Sequence, residues 1–245
     1  MPPLLVLWDI DYTLIAAGPA GLRLYEIALE ARYGLPLPAN LTSMAGRTDS
    51  SIALEVLTAA GLADPAGELA AFHRVLTARA PEVAGLVREH GRALPGAQAA
   101  LAGLAAAGGP LVQSVLTGNI PALARVKLGA LGLTGFLDLG IGAYGDVSAD
   151  RADLVPVARQ NASRRYAADF AGRRTVVVGD TPSDIVAATA RGARSVAVAT
   201  GRFSASELAD AAPDVVLADL TDTAAVLRAI LGEVRVGAQL GHRDP

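Results

Sequence analysis

The chain contains no cysteine, which removes disulfides, thiolate metal sites and cysteine nucleophiles together. Lysine occurs once, at Lys127, among 21 basic residues, a skew we read as codon bias. Aromatic residues make up only 4% and charged residues 18%. No apolar run approaches the length needed to cross a membrane. The net charge of −3 creates no field that would favour nucleic acid or an anionic membrane surface. The first residues lack the basic stretch and small-residue cleavage site of a secretory signal, so the expectation is a cytoplasmic protein with neither a membrane nor a nucleic-acid partner. What the chain does have is apolar content, 52% over 245 residues, enough for one large domain or one domain with an insert.

Short apolar runs bounded by Gly, Asp or Thr recur along the chain: Leu4 to Trp8, Leu111 to Leu116, Phe136 to Ile141, Thr175 to Val178, Ser195 to Ala199 and Asp214 to Leu217. Helical spacing fills the gaps, over Ala97 to Ala107, Pro121 to Leu131, Arg151 to Ala168, Asp184 to Arg191 and Ala205 to Ala211. Gly108, Gly132 and Gly192 stand where those helices would stop. Strands alternating with helices predict an α/β fold, a parallel sheet with helices on both faces. Between about Ala16 and Leu94 no strand-like run occurs, and the segment reads as several helices broken at Gly34-Leu35-Pro36, Gly61 and Pro81. The expected organisation is a core from residues 1–15 and 95–233, a helical insert over 16–94, and a polar, flexible tail over 234–245.

Chemistry gathers at the strand ends. The first run leads into Asp9-Ile10-Asp11-Tyr12-Thr13 and the second into Thr117-Gly118-Asn119. The Thr175 run leads into Gly179-Asp180-Thr181-Pro182-Ser183-Asp184, and the loop after Phe136 to Ile141 carries Arg151. In a parallel sheet these endings share one edge, where open α/β folds bind ligands. Four carboxylates in one crevice repel one another and call for a cation. All-oxygen ligands suit Mg²⁺, which commonly sits beside a substrate phosphate. Thr117, Asn119 and Arg151 supply donors for such a phosphate, and a carboxylate such as Asp9 can form an aspartyl-phosphate. The residues converge on phosphoryl transfer.

At these positions the chain resembles the haloacid dehalogenase superfamily of aspartate-dependent phosphohydrolases, in its phosphoglycolate phosphatase-like branch. Four motifs stand in the family's order: Asp9-x-Asp11-x-Thr13, Thr117, a basic residue, and Gly179-Asp180-x-x-x-Asp184. Leu94-Pro95-Gly96 looks like the return from cap to core, and the insert like a helical C1 cap on a Rossmann-like sheet. The resemblance implies Asp9 as nucleophile and Asp11 as acid and then base. It also implies a phosphate cradle of Thr117, Gly118, Asn119 and Arg151. Mg²⁺ would be held by Asp9, the Asp11 carbonyl, Asp180 and Asp184. The basic residue is more often lysine in the family; we assign Arg151 over the competing Lys127, which falls mid-helix. Hydrolysis of a small phosphorylated metabolite is the implied activity. A phosphomutase of the β-phosphoglucomutase type and a non-catalytic phospho-metabolite-binding protein are the alternatives, and Asp11 argues against dehalogenation.

Rival readings of single motifs are weaker. A calcium loop starting at Asp9 needs Gly at its sixth position, which is Leu14 here. Gly140-Ile141-Gly142-Ala143-Tyr144-Gly145 matches a dinucleotide fingerprint, but no helix follows directly and no acidic residue stands at the right distance. No nucleotide cofactor is expected. His73, His90 and His242 are read as packing or surface residues. Arg47, between insert helices, is a candidate contact for an anionic substrate group, or else a solvated loop arginine beside Asp49. Tyr12 and Ile15 either line the entrance or pack beneath it.

Overall fold

The computed structural model describes residues 3–232; the expected tail over 234–245 lies outside them. The first apolar run forms β1 (Leu4–Trp8), and a two-residue strand β2 (Ile15–Ala16) follows. Next come α1 (Ala20–Tyr33), α2 (Asp49–Ala59), α3 (Pro65–Arg79) and α4 (Ala84–His90), then β3 (Arg92–Ala93). The chain continues through α5 (Ala97–Ala106), β4 (Leu111–Val115), α6 (Pro121–Ala130), α7 (Leu154–Tyr166) and β5 (Thr175–Gly179). It closes with α8 (Pro182–Ala190), β6 (Arg194–Val198), α9 (Ala205–Ala209), β7 (Val215–Leu217) and α10 (Thr223–Leu231).

Five strands form one parallel sheet in the order β4-β1-β5-β6-β7. Numbered along the core this is 2-1-3-4-5, a doubly wound order whose direction reverses between β1 and β5. Both strands are buried along their whole length, which is why they read as unbroken apolar runs rather than alternating ones. The period of two still sorts their side chains. Leu4, Val6 and Trp8 join Val176 and Val178 in a core with α5 and α10. Leu5, Leu7 and Val177 face Ala158 of α7 and Ala187 and Ala188 of α8 on the other side.

The four helices between β2 and β3 pack around Tyr25, Leu29, Phe72, Leu76 and Val87, and Ile120 and Leu123 from the start of α6 complete that cluster. The chain leaves and re-enters the sheet domain through an antiparallel ribbon in which Ile15 faces Ala93 and Ala16 faces Arg92. Two residues per strand are too few to show periodicity, so this ribbon has no signature in the sequence.

The expected strand over Phe136 to Ile141 is absent. A short 3₁₀ turn, Thr134–Phe136, occupies its beginning, and irregular chain then follows the β4 edge through Asp138 N to Gln113 O, Ala143 N to Val115 O and Thr117 N to Ala143 O. Asp138, Gly140 and Gly142 are poor strand formers, so the apolar residues between them seat against the sheet without extending it.

Gly96 holds the return to the core in place. Its φ is +80°, and a Cβ there would stand 1.9 Å from the Leu220 carbonyl oxygen. Gly96→Ala is therefore expected to lower stability by about 2 kcal/mol or more. Denaturant unfolding should show a reduced midpoint at an unchanged slope.

Candidate active site

The turn after β1 aims two carboxylates at the sheet edge. Asp9 N–H still donates to Val178 O on the neighbouring strand at 2.8 Å, and Leu14 and Ile15 then both donate to Ile10 O at 3.0 Å. This coil puts Tyr12 at φ 59°, where its carbonyl accepts from Thr200 Oγ1 at 2.5 Å. Asp9 is buried and Asp11 faces the cavity.

From β5, Asp180 lies beside Thr13, whose hydroxyl donates to it at 3.2 Å. The Gly201 backbone closes over its other side, so that a Cβ on Gly201 would stand only 1.8 Å from Asp180 Oδ2. Asp184, on the first turn of α8, uses Oδ2 to accept from the Thr181 amide at 3.2 Å and hydroxyl at 2.7 Å. Asp9, Asp180 and Asp184 are all buried, and one carboxylate oxygen from each lies within 4.8 Å of the others.

One cation enters this cluster directly. Arg151 Nη2 stands 2.7 Å from Asp9 Oδ1 and 2.6 Å from Asp184 Oδ1, and the guanidinium is buried. One positive charge against three carboxylates leaves an excess of negative charge. Burial, with Asp184 and Asp11 nearby, pushes the Asp9 carboxyl up to about 7 despite the Arg151 charge. Burial next to Asp9 and Asp184 pushes Asp180 up to about 8. A divalent cation suits this all-oxygen set, which relieves its repulsion by binding one. The buried Arg151 Nε has no hydrogen-bond partner among the described residues.

Lys127 reaches the site as well. Its Nζ is 2.6 Å from Asp11 Oδ2 and 2.7 Å from Asn119 Oδ1. Asn119 Nδ2 donates to Asp11 Oδ2 and to Thr117 Oγ1, each at 2.8 Å. The structure thus brings Asp9, Asp11, Thr117, Gly118, Asn119, Arg151 and Asp180 to one cavity of about 560 Å³, with Asp184 behind it. Tyr25, Met44 and Ile52 line the cavity from the inserted helices.

Arg47 also lines the cavity, but its guanidinium is held within the insert by Ser51 Oγ, Ser51 O, Thr42 and Glu55. Its backbone matters more for shape. A Cβ on Gly118 would stand 1.9 Å from Arg47 O, and one on Gly145 would stand 1.8 Å from Gly118 O. Asp49 N–H donates to Gly118 O at 2.6 Å and Ser50 N–H to Gly145 O at 2.8 Å.

Asp49 is a site residue that the sequence reading missed. Its carboxylate, buried at the foot of the insert, accepts from the Ile120 amide at 2.6 Å and the Tyr25 hydroxyl at 2.8 Å. Burial pushes it up to about 6, opposed by these hydrogen bonds and the Lys127 charge. In sequence it looks like an ordinary first-turn acid after the N-cap Thr48, whose hydroxyl accepts from Ser51 N–H. Only the fold reveals its second role across the interface.

A model of HAD-hydrolase-like proteins matches residues 152–223. Solved structures extend the likeness over most of the chain. A haloacid dehalogenase-like family hydrolase from Streptococcus pneumoniae superposes with a TM-score of 0.59 at 16% identity, covering 91% of this chain and 97% of its own. The chain has the haloacid dehalogenase-like hydrolase fold. Two further structures with this fold are a predicted phosphoglycolate phosphatase from Haemophilus somnus 129pt and a protein assigned as a β-phosphoglucomutase from Thermotoga maritima. The first has a TM-score of 0.62 at 18% identity, covering 92% of this chain and 97% of its own. The second has a TM-score of 0.57 at 18% identity, covering 93% and 99%. No curated protein matches the sequence. Within the haloacid dehalogenase-like fold, the carboxylates described above lie where the strand order reverses.

The raised carboxyls have a measurable consequence. The folded chain keeps protons on Asp9 and Asp180 up to about pH 7 and about pH 8, whereas unfolded carboxyls release theirs near 3.8. Across that window the folded state binds more protons, so stability falls as pH rises. Metal-free protein should melt lower at pH 8.5 than at pH 5.5. Added Mg²⁺ should raise the melting temperature more at the higher pH, because deprotonated carboxylates bind it.

Proposed function

We propose that the chain is a cytoplasmic, Mg²⁺-dependent phosphatase that hydrolyses a small phosphate monoester through an aspartyl-phosphate on Asp9. The observation that carries this reading is the pairing of Asp9 and Asp11 in one cavity with Arg151 and the Thr117–Asn119 loop. A nucleophile, an exchangeable acid and phosphate donors thereby share a single wall.

In the first half-reaction an Asp9 carboxylate oxygen forms a bond to phosphorus as the bond to the leaving oxygen breaks. Asp11 gives that oxygen its proton. In the second half Asp11 takes a proton from water, whose oxygen attacks phosphorus, and the bond to Asp9 breaks to release phosphate. Arg151, Thr117, Asn119 and the Gly118 amide would hold the phosphoryl oxygens. Asp9, the Asp11 carbonyl, Asp180 and Asp184 would hold Mg²⁺, which supplies compensation for charge on the transferring group. The inserted helices act as a cap over the cavity, excluding bulk water and meeting the remainder of the substrate. The partner is a small phosphorylated metabolite, with no role for nucleic acid or membrane.

Release of p-nitrophenol from p-nitrophenyl phosphate, with and without Mg²⁺, tests the reading. Wild-type hydrolysis should require the metal, and Asp9→Asn should lower kcat by roughly 10³-fold or more. Turnover that survives Asp9→Asn would refute the mechanism. An Asp9-dependent enzyme that moves phosphate between positions of a sugar without releasing it would be a mutase instead.

A further inference from the structure

The phosphatase reading gives Arg151 a task and leaves Lys127 without one. Lys127 is the single lysine of the chain, and its side chain is 5% exposed. A buried ammonium is costly unless it is paired and hydrogen-bonded, and here both bonds go to named site residues, Asp11 and Asn119. The two buried cations divide the wall between them. Arg151 stands on Asp9 and Asp184, and Lys127 on Asp11 alone among the carboxylates.

The contacts at Asp11 are one-sided. Oδ2 accepts from Lys127 Nζ at 2.6 Å and from Asn119 Nδ2 at 2.8 Å. Asn119 is fixed in turn by Thr117 Oγ1, so these three residues and Asp11 form a connected network. Oδ1 makes no hydrogen bond among the described residues, and Asp11 lines the cavity. Resting on the phosphatase reading, we infer that Lys127 is a positioning residue. It pins the Asp11 carboxyl by Oδ2, leaving Oδ1 as the oxygen that delivers the proton to the leaving group. In that step the Oδ1–H bond breaks and the proton passes to the bridging oxygen. That oxygen keeps the electron pair of its breaking bond to phosphorus, while the Asp9 oxygen completes a new one. Lys127 moves no proton itself.

A merely structural tie between α6 and the β1 turn would affect all substrates alike, whereas a role in proton delivery depends on the leaving group. The test compares kcat/KM, which reports the chemistry through leaving-group departure, for phenyl phosphate and 2,4-dinitrophenyl phosphate. Phenolate is a poor leaving group that needs its proton; dinitrophenolate departs without one. Lys127→Met, close in length and apolar, should lose roughly 10²-fold on phenyl phosphate and less than about threefold on the dinitrophenyl ester. Asp11→Asn should show the same pattern more strongly. Thermal melting checks that the variant is folded; if it is not, Lys127→Arg keeps the charge, shifts the donor, and should show the same substrate contrast at smaller size. Equal losses on both esters, or no loss on either, would overturn the assignment of Lys127 while leaving the phosphatase intact. A wild type that hydrolyses neither ester would overturn the phosphatase reading and this inference with it.

Discussion

Three buried carboxylates at one sheet edge, compensated by a single guanidinium, set the terms for the rest of the molecule. Asp9, Asp180 and Asp184 come from β1, β5 and the first turn of α8, and nothing in folding favours collecting them there. Their burial raises Asp9 and Asp180 into the neutral range. Perturbed groups of this kind mark functional sites more often than structural ones. The apolar faces of β1 and β5 supply the compensating stability. Residues such as Val6, Trp8, Val176 and Val178 lie within the core and hold the ends of their strands within a few ångströms of each other.

Arg151 and Lys127 then separate the wall into two electrostatic halves. The guanidinium is planar and can serve two carboxylates from one nitrogen, as it does between Asp9 and Asp184. The ammonium is compact and fits a buried position between Asp11 and Asn119. Exchanging the two residue types would not preserve either geometry. Arg151 and Lys127 are therefore not alternatives: both are at the site, with different partners.

Much of this was legible in the primary structure, for identifiable reasons. β1 and β5 are buried on both faces, so their apolar runs are unbroken and their ends conspicuous. The motifs at Asp9, Thr117 and Asp180 are local and lie at those ends. The misread strand at Phe136 to Ile141 has the right hydrophobicity, but its glycines and Asp138 follow the β4 edge irregularly. Convergence over long separations left no local trace. Lys127 meets Asp11 across 116 positions, and Asp49 meets Ile120 across 71. Lys127 and Asp49 each have an unremarkable reading on their own helices, and only the fold brings them to Asp11 and Ile120.

Part of the contact between the inserted helices and the sheet domain is made by main chain, beside the apolar packing of Ile120 and Leu123. Asp49 and Ser50 donate amides to the carbonyls of Gly118 and Gly145, and the carbonyl of Arg47 rests where a side chain on Gly118 would have to be. Backbone groups are the same whatever residue carries them. These main-chain contacts do not depend on the chemistry of Leu22, Met44 and Ile52, which line the cavity. Side chains such as these can consequently change while the main-chain contacts survive. The shape of the cavity's mouth and the lining of its interior can thus evolve as separate traits.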